Sequence, residues 1–224
     1  GYPSGRTMYV DPPPGGPLRR FGATAMPVMG LAAAGNYVVA QDGSGAWATH
    51  YVFDKAGRLA TSPEWDSYSR HHAWAPNQSR LYYFRDDTSP NDLMWEEIDQ
   101  ATGLIKAHGE SPYHGDYPIR GPIRVSLGGA RLLLGSGNVY STTDLKVTGS
   151  LPVQPNDMQW FDDGSLVTIS ASGADTLWTL FDSTLTAQAS AVIAGEPVAV
   201  VRVSGGFVVL TQIGGMTQMT RVAL

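Results

Sequence analysis

Short apolar runs punctuated by Gly, Asp, Asn or Pro recur along the whole of this 224-residue chain. Leu81-Tyr-Tyr-Phe84, Leu166-Val-Thr-Ile169 and Phe207-Val-Val-Leu210 are rich in the β-branched and aromatic side chains that suit a pleated, half-buried surface. The stretch EIDQATGLIKA, Glu97 to Ala107, admits two readings. Asn91 caps a short helix through Asp92–Glu96 that Gly103 stops, or two strands fold back on each other around a turn at Asp99–Gly103.

The recurrence of similar stretches decides between them. YVFDKAGRLA, VYSTTDLKVTGSL, WTLFDSTLTAQAS and MYVDPPPGGPLRRF each join an apolar stretch to another through an Asp-containing turn. With turns at 11, 54, 99, 142 and 182, the spacings are 43, 45, 43 and 40. A second series interleaves with it, with turns near 35, 77, 128, 163 and 205. HHAWAPNQSRLYYF and PIRVSLGGARLLLG align without gaps, placing Arg80 over Arg131; MQWFDDGSLVTI and VVRVSGGFVVLT are the same unit one residue shorter. The repeat is therefore strand, Gly/Asp/Asn turn, strand, loop, strand, Asp turn, strand. Four strands at a period in the low forties point to propeller blades, and a lone capped helix would not generate that period.

EIDQATGLIKA resembles the strand–turn–strand end of WD40-like propeller blades in bacterial secreted and surface proteins. IRVSLGGARLLLGSG resembles their Ser-Pro-Asp-Gly hairpin, with Leu127-Gly128-Gly129 in place of Pro-Asp-Gly. The likeness covers nearly the whole chain at the level of blades and implies an all-β, β-propeller fold. It says little of function, because propellers host many unrelated activities. Trp-Asp occurs only at Trp65-Asp66, outside the expected strand position, so the protein-scaffold role of true WD40 proteins is not carried over.

Four full blades are expected at about 22–62, 68–109, 119–151 and 155–192, in a single domain spanning 1–224. Residues 196–222 supply three further strands, and joining them with 6–21 makes a fifth blade closed by both termini, which hides edge strands. In that arrangement 6–10 and 216–222 compete for one place. The alternative is a fragment of a larger propeller.

Composition narrows the classes of function. Hydrophobic residues make up 42% of the chain, enough for a real core, whereas charged residues are only 16% beside 26 Gly and 15 Pro. A net charge of −5 without a Lys/Arg cluster argues against a nucleic-acid partner. Cysteine is absent, which removes disulfides, thiolate metal sites and Cys nucleophiles. No apolar run reaches the roughly 20 residues of a membrane helix; the nearest, Ala25 to Ala34, is broken by Pro27 and Gly30. No signal peptide precedes Gly1, as expected of a mature exported protein or a piece of a longer multidomain chain.

The loops after the second and fourth strands of a blade emerge on one face, where binding loops gather. SPEWDSYSRHH (62–72), RDDTSPND (85–92) and ESPYHGDYPIRG (110–121) are the richest of them. They make Trp65, Tyr68, His71, Asp87, Asp92, Tyr113, His114, Asp116, Tyr117 and Arg120 the candidate ligand-binding residues. Aromatic faces beside carboxylates suit sugars; long loops also need tyrosines and ion pairs simply to fold over a ring. Neighbouring strand residues point to opposite faces, so His71 and His72 are not expected to share a metal, and a structural role fits them better. Trp74 and Trp160 occupy equivalent blade positions, which indicates core packing.

Asp86, Asp87 and Asp92 offer hard oxygens, but their spacing matches no EF-hand, and a surface loop is the expected role. LGGARLLLGSG lacks the helix and Lys-Ser/Thr pair of a phosphate loop, and no Gly-x-Ser-x-Gly elbow is present. No metal, cofactor or catalytic residue is expected. The chain reads as a non-catalytic binding module of an exported or surface bacterial protein, with a glycan or protein ligand. The alternative is a glycoside hydrolase or lyase drawing two carboxylates from Asp66, Asp87, Asp116 and Asp157.

Overall fold

A computed structural model of the chain describes residues 7–10, 16–17, 19–43, 50–62, 69–85 and 89–224. Their contacts divide into two compact units, Gly1–Tyr117 and Pro118–Leu224. The described residues contain strands, turns and one short 3-10 segment, Pro76–Gln78, with no α-helix.

The first unit begins with β1 (Thr7–Val10) and β2 (Arg19–Ala23), which pair with each other. One four-stranded antiparallel meander follows: β3 (Val28–Ala34), β4 (Tyr37–Asp42), β5 (His50–Asp54) and β6 (Leu59–Thr61). A second is built from β7 (Ser69–Ala75), β8 (Arg80–Arg85), β9 (Asp92–Ile98) and β10 (Ile105–Glu110). The opening strands of the two meanders, β3 and β7, lie side by side, as in successive propeller blades.

In the second unit β11 (Ile123–Val125), β12 (Arg131–Leu134), β13 (Asn138–Ser141) and β14 (Val147–Ser150) form one such sheet. The next contains β15 (Asp157–Trp160), β16 (Leu166–Ser172), β17 (Asp175–Phe181) and β18 (Ala187–Ala194). The last is three-stranded: β19 (Glu196–Val203), β20 (Gly206–Ile213) and β21 (Met216–Ala223). Here too opening strands adjoin, β15 lying against both β11 and β19. Thr7–Val10 pairs with Arg19–Ala23 in the first unit, and Met216–Ala223 with Gly206–Ile213 in the second.

The two turn series have distinct physical origins. In the outer hairpins, Asp54, Asp99 and Asp182 each accept, through Oδ1, the N–H of the residue two further on, at 2.8, 2.7 and 2.9 Å. Ser141 does the same with its hydroxyl, to Thr143 at 3.1 Å. The same four residues close the hairpin by donating their N–H to Arg58, Leu104, Thr186 and Lys146 carbonyls. Each turn then needs one residue with positive φ, which is Gly57, Gly103, Leu185 or Leu145. The inner hairpins place their left-handed residue at Gly35, Ser79, Gly129, Gly164 and Gly205. EIDQATGLIKA is thus the β9–β10 hairpin, with Asp92–Ile98 bonded to β8 on one side and β10 on the other.

Cores lie between consecutive sheets. Tyr37, Val39 and Val52 of the first meander pack against Leu81 and Ile98 of the second, with Trp74 beside them. In the second unit Leu133 and Val139 meet Met158, Trp160, Leu166 and Phe181; Val167 and Ile169 meet Val200, Phe207 and Val209. Trp74 and Trp160 are therefore packing residues, as their equivalent positions imply. Arg80 and Arg131, aligned in the sequence, stack over Trp95 (3.9 Å) and Trp160 (4.8 Å).

A polar cluster is buried inside the first unit. His50 Nδ1 lies 2.9 Å from Glu96 Oε2, with both side chains sealed from solvent. The His50 ring meets Tyr83 edge-on at 4.9 Å and His72 at 5.5 Å. Gly30 leaves the space that the His72 ring fills; a Cβ there would lie 2.8 Å from His72 Cε1. Burial first, then the neighbouring His50 and His71, pushes the His72 pKa from 6.5 down to about 3.

Two tests follow from these turns and this cluster. At Gly103 a Cβ would sit 2.6 Å from both Tyr37 Cε1 and Ala60 Cβ, on top of a left-handed φ of 75°. Gly103→Ala is expected to cost about 2–3 kcal/mol. Gly214→Ala, with φ 57° and open space around it, is expected to cost only about 1 kcal/mol. Urea midpoints of the two variants measure the difference, and equal losses would remove the packing contribution. For His72, the folded state binds fewer protons than the unfolded chain between pH 6.5 and about 3, so stability falls as pH drops through that window. Asp99, held at about 2 by Lys106 first and by the turn N–H groups, loses its contribution only as pH falls from about 3.8 to about 2, below most of the His72 window. His72→Gln is expected to flatten the decline between pH 6.5 and 4 in chemical denaturation, and parallel curves would exclude His72 as its source.

Candidate functional site

The strand ends of the second meander position the site. Asp92 opens β9, Arg85 closes β8 and Glu110 closes β10, so the pleat brings all three to one end of the sheet. Chain reversal past Glu110 is fixed by Ser111 N–H donating to Leu93 O at 2.9 Å. A turn follows, closed by Asp116 N–H to Tyr113 O at 3.0 Å. Within it His114 (φ 48°) and Gly115 (φ 95°) both lie in the left-handed region, a position that a β-carbon-bearing residue takes only under constraint.

Asp92 is 2% exposed. Its Oδ1 accepts the Leu93 N–H at 2.8 Å and the Ser111 hydroxyl. Its Oδ2 is buried and accepts no hydrogen bond among the described residues. That oxygen lies 3.7 Å from His114 Nδ1. Glu110 is arranged in parallel: Oε2 receives Arg85 Nη2 at 2.9 Å, and Oε1 lies 3.7 Å from the same His114 nitrogen. Arg85 is itself oriented by donating Nε to Pro90 O at 3.1 Å. Burial raises the Asp92 pKa, with the Glu110 charge adding to it, against the Ser111 and Leu93 hydrogen bonds and Arg85. On either side of His114 in the chain, the Tyr113 and Tyr117 rings meet edge-on at 4.5 Å, and Tyr117 remains 36% exposed.

Of the expected set, Asp92 and His114 come within 3.7 Å of each other, and Tyr113 and Tyr117 flank His114 in the chain, ring against ring. Asp116 sits in the same turn, exposed. His71 stands at a bulge in β7 with φ 58°, its ring against Phe84 at 5.7 Å, while His72 turns to the buried cluster; the two histidines have separate surroundings. Arg120 belongs to the second unit, where it donates to Gln154 at 3.2 Å. Trp65, Tyr68 and Asp87, with Asp66 and Asp86, lie outside the described residues.

Glu110, Ser111 and Arg85 were absent from the expected set although a signal for two of them existed. In the β9–β10 ladder Glu110 faces Met94, which puts Ser111 opposite Leu93 and next to Asp92. Of the carboxylates considered for glycoside cleavage, Asp157 does lie on a first strand. Both its oxygens are occupied, by Arg124 Nη2 at 2.7 Å and the Val200 N–H at 3.0 Å, which is a structural arrangement. Two shallow grooves lie elsewhere: about 470 Å³ around Asp175, Gly195, Glu196 and Gly214 in the second unit, and about 350 Å³ around Asn36, Asp54 and Gln100 in the first. Both are walled by hairpin tips and neither gathers unsatisfied polar groups among the described residues.

No protein-family model matches the chain, and no curated protein sequence does. Solved structures do. Dihydro-heme d1 dehydrogenase NirN matches at 15% identity and TM-score 0.61, over 83% of this chain and 42% of that one. Chaetomium thermophilum Sqt1, solved bound to the N-terminus of ribosomal protein L10, matches at 13% and 0.62, over 91% and 63%. TolB from Acinetobacter baumannii matches at 12% and 0.58, over 99% and 58%. The chain spans about two-fifths to three-fifths of the length of these proteins. At such identities the likeness concerns fold alone, and the fold is an all-β β-propeller.

Proposed function

We propose that the chain is a non-catalytic binding module of an exported or surface bacterial protein. Its ligand, a glycan or an exposed protein segment, docks against the β8–β9 and β10 strand ends. The observation that carries this reading is the Tyr113–Tyr117 ring pair, half-buried at Tyr113 and exposed at Tyr117, flanking His114, whose Nδ1 lies 3.7 Å from the Asp92 and Glu110 carboxylates. An edge-on aromatic pair offers a rigid apolar face at low entropic cost, and adjacent carboxylates accept the hydroxyl or amide donors of a ligand lying on it. Sqt1, whose fold is similar, was solved holding a protein terminus, which is compatible with a peptide ligand. The hydrolase alternative gains nothing from Asp157, whose carboxylate is already paired.

Glycan-array and pull-down screening of the wild type against Tyr117→Ala tests this reading. Loss of the ring is expected to weaken binding roughly tenfold, the equivalent of about 1.4 kcal/mol. Trp65→Ala reports on whether the neighbouring loop contributes. Equal binding by all three proteins would remove the site from consideration.

A further inference from the structure

We propose that Asp92, Glu110 and His114 form a binding site for a divalent transition-metal ion, best matched by Zn²⁺. One oxygen from each carboxylate and one imidazole nitrogen converge so that the three ligand atoms lie within 4.8 Å of one another. The contacts to His114 Nδ1 are both 3.7 Å, too long for hydrogen bonds and too short to admit another side chain. Zn–O and Zn–N bonds of about 2.0–2.2 Å set neighbouring ligand atoms about 3.4 Å apart in a tetrahedron. The two distances to His114 Nδ1 exceed that by a few tenths of an ångström, and the separation of the two carboxylate oxygens lies within 4.8 Å.

The second observation is independent of the clustering. Asp92 Oδ2 is buried and unpartnered among the described residues, and it faces into the gap. A buried carboxylate oxygen without a donor is costly, and a cation satisfies it. The two remaining carboxylate oxygens are already fixed, Asp92 Oδ1 by Ser111 and the Leu93 N–H, Glu110 Oε2 by Arg85. That is the outer support by which metal-binding carboxylates are commonly oriented. The left-handed His114 backbone directs the imidazole inward while 61% of its side chain stays exposed.

One nitrogen and two oxygens favour Zn²⁺ over Ca²⁺ or Mg²⁺, which select oxygen ligands. Three protein ligands leave one tetrahedral position directed to solvent, where an oxygen of a bound ligand or water completes the set. The ion site does not rest on the binding-module reading, and the two fail separately.

Calorimetric titration of the metal-free full chain with ZnCl₂ at neutral pH is the test, with thermal melts in parallel. About one ion per chain is expected, with a raised Tm in excess Zn²⁺. His114→Ala and Glu110→Gln alter exposed side chains and should fold; each is expected to weaken binding at least tenfold. His108→Ala, an exposed histidine outside the cluster, and Tyr117→Ala should bind as the wild type does. Absence of stoichiometric binding, or equal affinity in His108→Ala and His114→Ala, would overturn the proposal. Retention of Zn²⁺ by Tyr117→Ala together with loss of glycan or peptide binding separates the two readings.

Discussion

The bond from a turn side chain to the backbone N–H two residues on holds this architecture together. Asp54, Asp99, Ser141 and Asp182 each make it, and each also closes its hairpin with its own N–H. That pair of bonds fixes where the outer strand begins, and so which side chains reach the space between sheets. A slip of one residue at any of these turns would turn Val52, Ile98 or Phe181 away from the cores they fill.

The opposite ends of the strands are built on different terms. There the second meander spends its last residues on polar groups: Arg85, Asp92 and Glu110, with the His114 turn above them. Each carboxylate has one oxygen anchored and one pointing to a common nitrogen. Such division of labour between the two oxygens gives a rigid cluster despite its position at a loop, since the anchors belong to strand ends or to the backbone beside them. The turn that carries His114 also holds the Tyr113–Tyr117 ring pair.

Much of the fold was legible because hairpin chemistry is local. Asp followed by Gly at 54–57 and 99–103 reads directly as punctuation, and the Arg80–Arg131 alignment marks two arginines that each stack on a tryptophan, Trp95 in the same sheet and Trp160 in the next. The third and fourth copies were fainter for a physical reason. Leucine replaces glycine at their left-handed position, where Leu145 and Leu185 have core to enter; at Gly57 and Gly103 a neighbouring chain stands too close. The candidate site was half legible. His114 and Asp92 stood out as loop residues, whereas Glu110 was hidden at the end of a strand, and its partnership becomes visible only once the hairpin register is known. The His50–Glu96 pair joins two different sheets, and no spacing in one sequence announces it.

Those two leucines have a consequence for how the molecule opens. A glycine turn can fray alone, since nothing but backbone is released. Leu145 is buried, and Leu185 packs against the cluster around Trp160. Their hairpins cannot open without withdrawing a side chain from the interior. Local breathing and loss of core packing are thereby fused into one event in the second unit, so its outer turns belong to a larger cooperative block and shield their amides from exchange.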